Sequence, residues 1–423
     1  MVQVSGDKSV AHRAVLLSLL VDEPISLSNV PPSADVGSTM GAVATLGVDV
    51  ARAGDRATLT PTKRDVGDVV VDCGNAGTLA RLLCGLLVGR GKAATLVGDA
   101  SLSSRPMRRA TAPLARFVGD DVVALSEGGT LPALIRPRVG RAVAQREIEL
   151  DVPSAQVKSA LLFCALSAGD VVVVEPRATR DHTERLLGSL GVDVDVVEGG
   201  HGGARVALRR PARIPGFALE LPGDPSSAAF LLGRAAAVPG AFANVDDVLL
   251  SPRRDGFFRA LARAGADVTV TERGVRGGER SGAIAVRGAR LRGIDVDARE
   301  IPDLVDEVPL LAALLATADG PSRLRGLAEL RVKESDRLAR TAALLRAFGA
   351  DVTVDGDDLV VGGGLRSGAR SVDVAVDGDH RLEMTARVLA RVLDCAVRTD
   401  GEGCEAVSFP AFATLLDDVE RAL

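Results

Sequence analysis

Leu46-Gly47-Val48-Asp49-Val50 reads as a helix end, a left-handed turn and a strand start within five residues. A glycine just past the last apolar helical position supplies the positive φ that releases the chain from a helix. The phrase returns as Val118-Gly119-Asp120-Asp121-Val122, Leu190-Gly191-Val192-Asp193-Val194, Ala264-Gly265-Ala266-Asp267-Val268 and Phe348-Gly349-Ala350-Asp351-Val352. Five copies about 75 residues apart mark internal repetition, since ordinary helix-to-strand joints carry no fixed spacing. The period predicts a sixth joint at about residue 421, where a helix over residues 409–423 is expected and no strand follows it. The unassigned strand is Val2-Gln3-Val4, which is expected to close the last repeat. The reading is therefore an α/β protein of two lobes with three repeats each, residues 8–222 and residues 1–7 plus 223–423. The chain crosses between lobes near Ser5–Asp7 and near Pro222-Gly223-Asp224-Pro225, where Asp224 is placed to cap a helix with Pro225 at its first position. Two crossings make a hinge, and the space between hinged lobes suits a substrate cleft.

The bulk properties agree with this scale. A chain of 423 residues exceeds what one hydrophobic core commonly supports. A net charge of −5 excludes a general nucleic-acid binder. Apolar runs such as residues 308–318 are too short to span a bilayer. No secretory signal pattern opens the sequence, and the five cysteines form no CxxC pair, so a reduced, cytoplasmic protein is expected. Trp and Tyr are absent. A binding site must then use charge and backbone in place of aromatic stacking.

Lysine is scarce. Lys8, Lys63, Lys92, Lys158 and Lys333 are the only five, while Lys and Arg together number 51. In an arginine-rich chain a retained lysine marks a place that needs a compact ammonium with movable donors. Lys63 and Lys92 read as plain surface residues. Lys8 opens Asp7-Lys8-Ser9, where Asp7 is placed to cap a helix and Arg13 follows Ser9 by four residues on the same face. Ammonium, hydroxyl, guanidinium and a helix amino terminus together describe an anion site.

Further strand-to-helix joints carry polar groups. Cys73-Gly74-Asn75-Ala76-Gly77-Thr78 leads into a helix with Arg81, and Ser154-Ala155-Gln156-Val157-Lys158 repeats the pattern with hydroxyl, amide and amine. In Arg180-Asp181-His182-Thr183-Glu184 the Asp181 and Glu184 spacing is that of a capping box. Residues 301–309 place Asp303, Asp306 and Glu307 among apolar neighbours, where partial burial would suit a carboxylate to proton transfer. Lys333 and Arg337 fall four apart, on one face of an expected charged helix with Glu334 a step round. Asp379-His380-Arg381 closes the set, and His380 reads equally as a packing or a catalytic residue. The four histidines and scattered cysteines show no metal-ligand spacing.

Taken in order, Gly6 to Arg13, Gly74 to Arg81, Ser104-Arg105-Pro106, Ser154 to Lys158, Arg180 to Thr183, Gly223 to Ala229, Ile301 to Pro309, Arg331 to Arg337 and Asp379 to Arg381 resemble the 5-enolpyruvylshikimate-3-phosphate synthase family of enolpyruvyl transferases. The resemblance implies an inside-out α/β barrel fold, with three βαβαββ units in each lobe. It implies a transferase of the shikimate pathway to chorismate and the aromatic amino acids, moving the enolpyruvyl group of phosphoenolpyruvate onto the 5-hydroxyl of shikimate 3-phosphate. No metal or organic cofactor is implied, and a monomer without nucleic-acid or membrane partners is expected. By the same resemblance Lys8, Ser9, Arg13, Ser154, Ala155, Gln156, Arg180, Asp303 and Lys333 bind shikimate 3-phosphate. Lys8, Gly77, Arg105, Gln156, Arg337 and Arg381 bind phosphoenolpyruvate. Asp303 takes the hydroxyl proton, Glu334 protonates the methylene carbon, and Lys8 serves both ligands. Gly77, having no side chain, leaves room in the phosphoenolpyruvate pocket for glyphosate.

The chain departs from the family pattern at Ser5, where a proline is usual, and at Val407-Ser408, where some members carry lysine before the Phe-Pro pair. The alternative is a paralogue acting on a modified shikimate or on UDP-N-acetylglucosamine. Against the latter, Leu102-Ser103-Ser104 precedes Arg105-Pro106, where that enzyme typically has a loop cysteine. A catalytically dead binding protein would have no need of both Asp303 and Glu334.

Overall fold

The computed structural model describes residues 2–422 apart from 63, 65, 120–121, 137–142, 201, 367 and 369–370. Lys63, and Asp120 and Asp121 of the second joint, lie outside the described residues. At all five joints the glycine takes a positive φ, +94° at Gly47, +81° at Gly119 and Gly191, +110° at Gly265 and +90° at Gly349. These are conformations that L side chains resist, so the repeat is punctuated by a residue type with a physical reason to be there.

The chain divides into two compact units. The amino-terminal unit comprises Lys8–Leu221 with Arg276–Glu279, and the carboxy-terminal unit comprises Met1–Asp7, Pro222–Val275 and Arg280–Leu423. Helices of the first are α1 (Lys8–Leu17), α2 (Ala34–Thr45), α3 (Gly77–Arg90), α4 (Ala100–Ser103), α5 (Arg108–Val118), α6 (Ala155–Ala168) and α7 (His182–Ser189). Those of the second are α8 (Pro225–Ala236), α9 (Gly256–Ala264), α10 (Val308–Ala316), α11 (Arg337–Ala347), α12 (His380–Val392) and α13 (Phe412–Ala422).

Five four-stranded sheets share one topology. In the second repeat Val69–Asp72 runs parallel to Ala94–Val97, which pairs antiparallel with Ala133–Ile135, which pairs antiparallel with Val123–Leu125. The third repeat has the same order over Glu147–Glu149, Val171–Glu175, Ala204–Leu208 and Val194–Glu198. The sheets alternate buried and exposed positions, as over Ser371–Val374, where Val372 and Val374 are buried and Ser371 and Asp373 exposed, so one face packs inward and the other meets solvent. Helices occupy the interior. Among the described residues no sheet closes into a barrel, and the arrangement is inside-out, with sheets surrounding helices.

The central helices pack closely because small residues permit it. A Cβ on Gly85 of α3 would stand 2.1 Å from the Ala160 carbonyl oxygen of α6, and one on Gly89 would stand 2.2 Å from that of Cys164. In the other unit every residue of α10, Val-Pro-Leu-Leu-Ala-Ala-Leu-Leu-Ala, is buried between α8, α11 and α12. Each such leucine is worth roughly 1.5–3 kcal/mol on burial. Asp224 caps α8, accepting from the Ser226 N–H at 2.8 Å, with Pro225 at the first helical position.

One expectation is corrected. Val2–Gln3 pairs with Phe242–Leu249 in the fourth sheet, not with the sixth repeat. There it takes the parallel edge place that Ala218–Glu220 takes beside Ile25–Ser28 in the other unit. The sixth repeat keeps a two-stranded sheet, Ser371–Val374 with Ala396–Thr399. Val4, the next residue, is buried in the carboxy-terminal core.

Candidate active site

In each βαβαββ repeat both helices follow the carboxyl ends of strands. One end of each unit therefore gathers helix amino termini and their unpaired N–H groups, which favour anions. Lys8, Gly77, Ser154, Arg337 and Arg381 lie at such termini.

In the amino-terminal unit Lys8 begins α1, and its Nζ lies 2.9 Å from Asp35 Oδ2 in the first turn of α2. Ser9 is half-buried beside it. Arg13 is buried. Its Nε donates to Thr183 Oγ1 at 2.7 Å, one Nη to the Ser9 carbonyl at 2.7 Å and the other to Ser159 Oγ at 2.8 Å. Arg13 thus ties α1 to α6 and α7. Ser154 caps α6, its hydroxyl accepting from the Val157 N–H at 3.4 Å. Gln156 donates through Nε2 to Thr78 Oγ1 at 3.0 Å, joining the starts of α6 and α3. Ala155 and Arg180 are half-buried.

Gly77 opens α3 beneath two guanidinium groups. Arg81 donates to the carbonyls of Gly77 at 3.1 Å and Pro106 at 3.2 Å. Arg105 donates to Asn75 Oδ1 at 2.6 Å and Ser101 Oγ at 2.9 Å, and Asn75 donates in turn to Asp99 at 2.7 Å. A Cβ on Gly77 would stand 2.7 Å from an Nη of Arg81 and 3.4 Å from an Nη of Arg105.

The carboxy-terminal unit holds the acids. Asp303 ends a short 3-10 helix, Ile301–Asp303, and accepts from Arg259 at 2.8 Å. Asp379, fully buried as the cap of α12, is a hub. It takes Arg337 Nε at 2.8 Å, Arg337 Nη2 at 3.2 Å, Ser335 Oγ at 2.9 Å and the Arg381 N–H at 3.0 Å. Burial alone would raise the Asp379 carboxyl, but Arg337 holds it below the ordinary range. Arg337 also reaches Glu334 Oε2 at 2.6 Å. Arg381 donates to the Asp306 carbonyl at 3.0 Å and to Glu307 at 3.4 Å. Glu334, Arg337 and Arg381 thus form one connected group.

Two local readings are corrected. Lys333 and Arg337 share no helix: Lys333 has extended backbone after the 3-10 turn Ala328–Val332 and pairs with Glu329 at 2.7 Å, while Arg337 begins α11. Asp181 and Glu184 form no capping box. Asp181 pairs with Arg185 at 2.8 Å and Glu184 with Lys158 at 2.7 Å, because stronger charged partners compete with backbone N–H groups. Asp7, directly before α1, is fully buried and accepts from Arg254 at 3.1 Å. Arg254 also donates to Asp224 at 3.2 Å and Ser226 at 2.9 Å. This buried hub, and Arg259 on Asp303, had no sequence signal, since the partners lie far apart in the chain. Asp379 had one, standing at a helix start directly before His380-Arg381. Among the described residues no group of three or more His, Cys, Asp or Glu side chains is placed to hold a metal ion, and no helix is long and apolar enough to cross a membrane.

Inside-out α/β units whose functional ends carry helix amino termini, guanidinium groups and acids are suited to small phosphorylated substrates. The family profile of EPSP synthase (3-phosphoshikimate 1-carboxyvinyltransferase) matches residues 1–416. The 3-phosphoshikimate 1-carboxyvinyltransferase of Gluconobacter oxydans is 43% identical over 430 residues, covering 100% of this chain and 95% of that protein. That of Acidiphilium cryptum is 42% identical over 429 residues, covering 100% and 94%. An EPSP synthase structure from Acinetobacter baumannii aligns with a TM-score of 0.83 at 33% identity, covering 99% of this chain and 95% of that one. The chain belongs to the EPSP synthase family.

Proposed function

We propose that the enzyme transfers the enolpyruvyl group of phosphoenolpyruvate to the 5-hydroxyl of shikimate 3-phosphate, with each unit supplying part of the machinery. The observation that carries this reading is the connected group of Glu334, Arg337, Asp379 and Arg381, with Glu334 held 2.6 Å from a buried guanidinium. Two fixed cations suit the carboxylate and phosphate of phosphoenolpyruvate, and an adjacent carboxyl suits proton delivery. Arg105, with an Nη that would stand 3.4 Å from a Cβ on Gly77, is a third cation for the same ligand.

Glu334, loaded with a proton, gives it to the methylene carbon, and positive charge develops on the neighbouring carbon. The 5-hydroxyl attacks that carbon while Asp303 takes its proton, forming a tetrahedral ketal. Glu334, ionised by the first step, then takes a methyl proton back as phosphate departs, which yields the enolpyruvyl ether. Asp303 must exchange Arg259 for the hydroxyl before it can act. Lys8, Ser9, Arg13, Ser154, Ala155, Gln156, Arg180 and Lys333 are the proposed shikimate 3-phosphate ligands. Lys8, Gly77, Arg105, Gln156, Arg337 and Arg381 are those for phosphoenolpyruvate. The relatives' shared name favours shikimate 3-phosphate over UDP-N-acetylglucosamine as acceptor. Phosphate release from the two substrates tests the reading, with Lys8→Met as the control. A wild-type chain that releases no phosphate overturns it.

A further inference from the structure

Lys158 is 1% exposed in an interior where arginine otherwise carries nearly all positive charge. Its Nζ lies 2.7 Å from Glu175 Oε2, 2.7 Å from Glu184 Oε1 and 3.4 Å from the Thr179 carbonyl. Glu175 and Glu184 are themselves buried, and Glu175 accepts from the hydroxyl of Thr179 and, at 3.4 Å, from its N–H. One ammonium thus joins α6, the strand Val171–Glu175, the turn before α7, and α7. Three divergent acceptors suit the rotatable donors of an ammonium better than a planar guanidinium fork.

The proposed shikimate 3-phosphate ligands of this unit hang from that junction. Ser154, Ala155 and Gln156 form the turn of α6 just before Lys158. Arg180 follows Thr179 directly. Thr183, next to Glu184, accepts from Arg13 and lies 2.7 Å from Ser159, the neighbour of Lys158. Burial pushes the Glu184 carboxyl up even against the pull of Lys158. Around it stand Asp181 with Arg185, and His182 with Glu279 at 2.7 Å, completing the charged groups on this side of α7.

We infer that Lys158 is a positioning residue for shikimate 3-phosphate, holding the α6 terminus, Arg180 and Arg13 in register without touching the substrate. The inference rests on the functional reading above. Without the ammonium, Glu175 and Glu184 repel when both are ionised, and that strain grows as pH rises.

The test measures kcat and both KM values between pH 6 and 9, with calorimetric binding of shikimate 3-phosphate. Lys158→Met is expected to raise KM for shikimate 3-phosphate about tenfold or more, increasingly toward high pH, with a clearly smaller rise in KM for phosphoenolpyruvate carried by Gln156 alone. Lys158→Met/Glu184→Gln keeps the net charge of the cluster and guards against a single variant that fails to fold. It is expected to lose the pH dependence while keeping a raised KM for shikimate 3-phosphate, since Thr179 is still released. Unchanged shikimate 3-phosphate binding in either variant, with only the melting temperature lowered, overturns the inference. An equal rise in both KM values overturns it as well. A wild-type chain that neither binds nor turns over shikimate 3-phosphate removes the functional reading and this inference with it.

Discussion

Arg259 donates to Asp303 Oδ2 at 2.8 Å while also pairing with Asp255, so one half-exposed guanidinium serves two carboxylates. Burial and the nearby Asp303 push the Asp255 carboxyl up, despite Arg259. Replacing Arg259 with Leu leaves both acids facing each other without a cation, which raises their apparent pKa values. If Asp303 is the base, the acid limb of the kcat profile moves to higher pH in Arg259→Leu. A profile that superimposes on wild type would count against this coupling.

Asp303→Asn keeps the shape of the side chain and removes its capacity to accept a proton. Turnover is expected to fall about 10²- to 10⁴-fold, with binding of shikimate 3-phosphate largely retained. Stopped-flow turnover beside equilibrium binding separates the two effects. Loss of binding together with rate would move Asp303 from base to anchor.

Gly77→Ala puts a methyl group against Arg81 and Arg105. Overpacking of about 1–3 kcal/mol is the usual cost, so KM for phosphoenolpyruvate should rise about tenfold. Glyphosate inhibition should weaken in step. Inhibition of the wild type no stronger than that of the variant would show that this space is not used.

The Arg337–Asp379 pair makes stability depend on pH in a defined sense. The folded Asp379 carboxyl lies below the ordinary value of 3.8, so its stabilising contribution is full above that value and is lost as pH falls through the lowered one. Asp379→Asn should cost about 3–5 kcal/mol near neutral pH by leaving Arg337 buried and short of its main partner. Urea unfolding at several pH values should show the gap to wild type narrowing below pH 3.8.

Gly85→Val brings a branched side chain against the α6 backbone, where even a Cβ would stand 2.1 Å from Ala160 O. The helices must separate, and a drop in the melting temperature of several degrees is expected, read by calorimetry. An unchanged melting temperature would mean that α3 and α6 are not held at this spacing in solution.

Repetition, the α/β class and the polar helix starts were legible in the sequence because each depends on neighbours in the chain. A glycine at positive φ, a cap or an alternating strand is decided within a few residues. The partner of a charge is not. Nothing near Asp7 in the sequence announces Arg254, 247 positions away, as a partner of its carboxylate. Asp181 and Glu184 read as a capping box, and Arg185 and Lys158 claim them. Val2–Gln3 is a strand by pattern, but its place in the fourth sheet rather than the sixth is set by the packing of the whole chain. In a low-dielectric interior a buried charge must find an opposite charge. Which one it finds is set by how the helices pack, and that packing is a property of the whole chain.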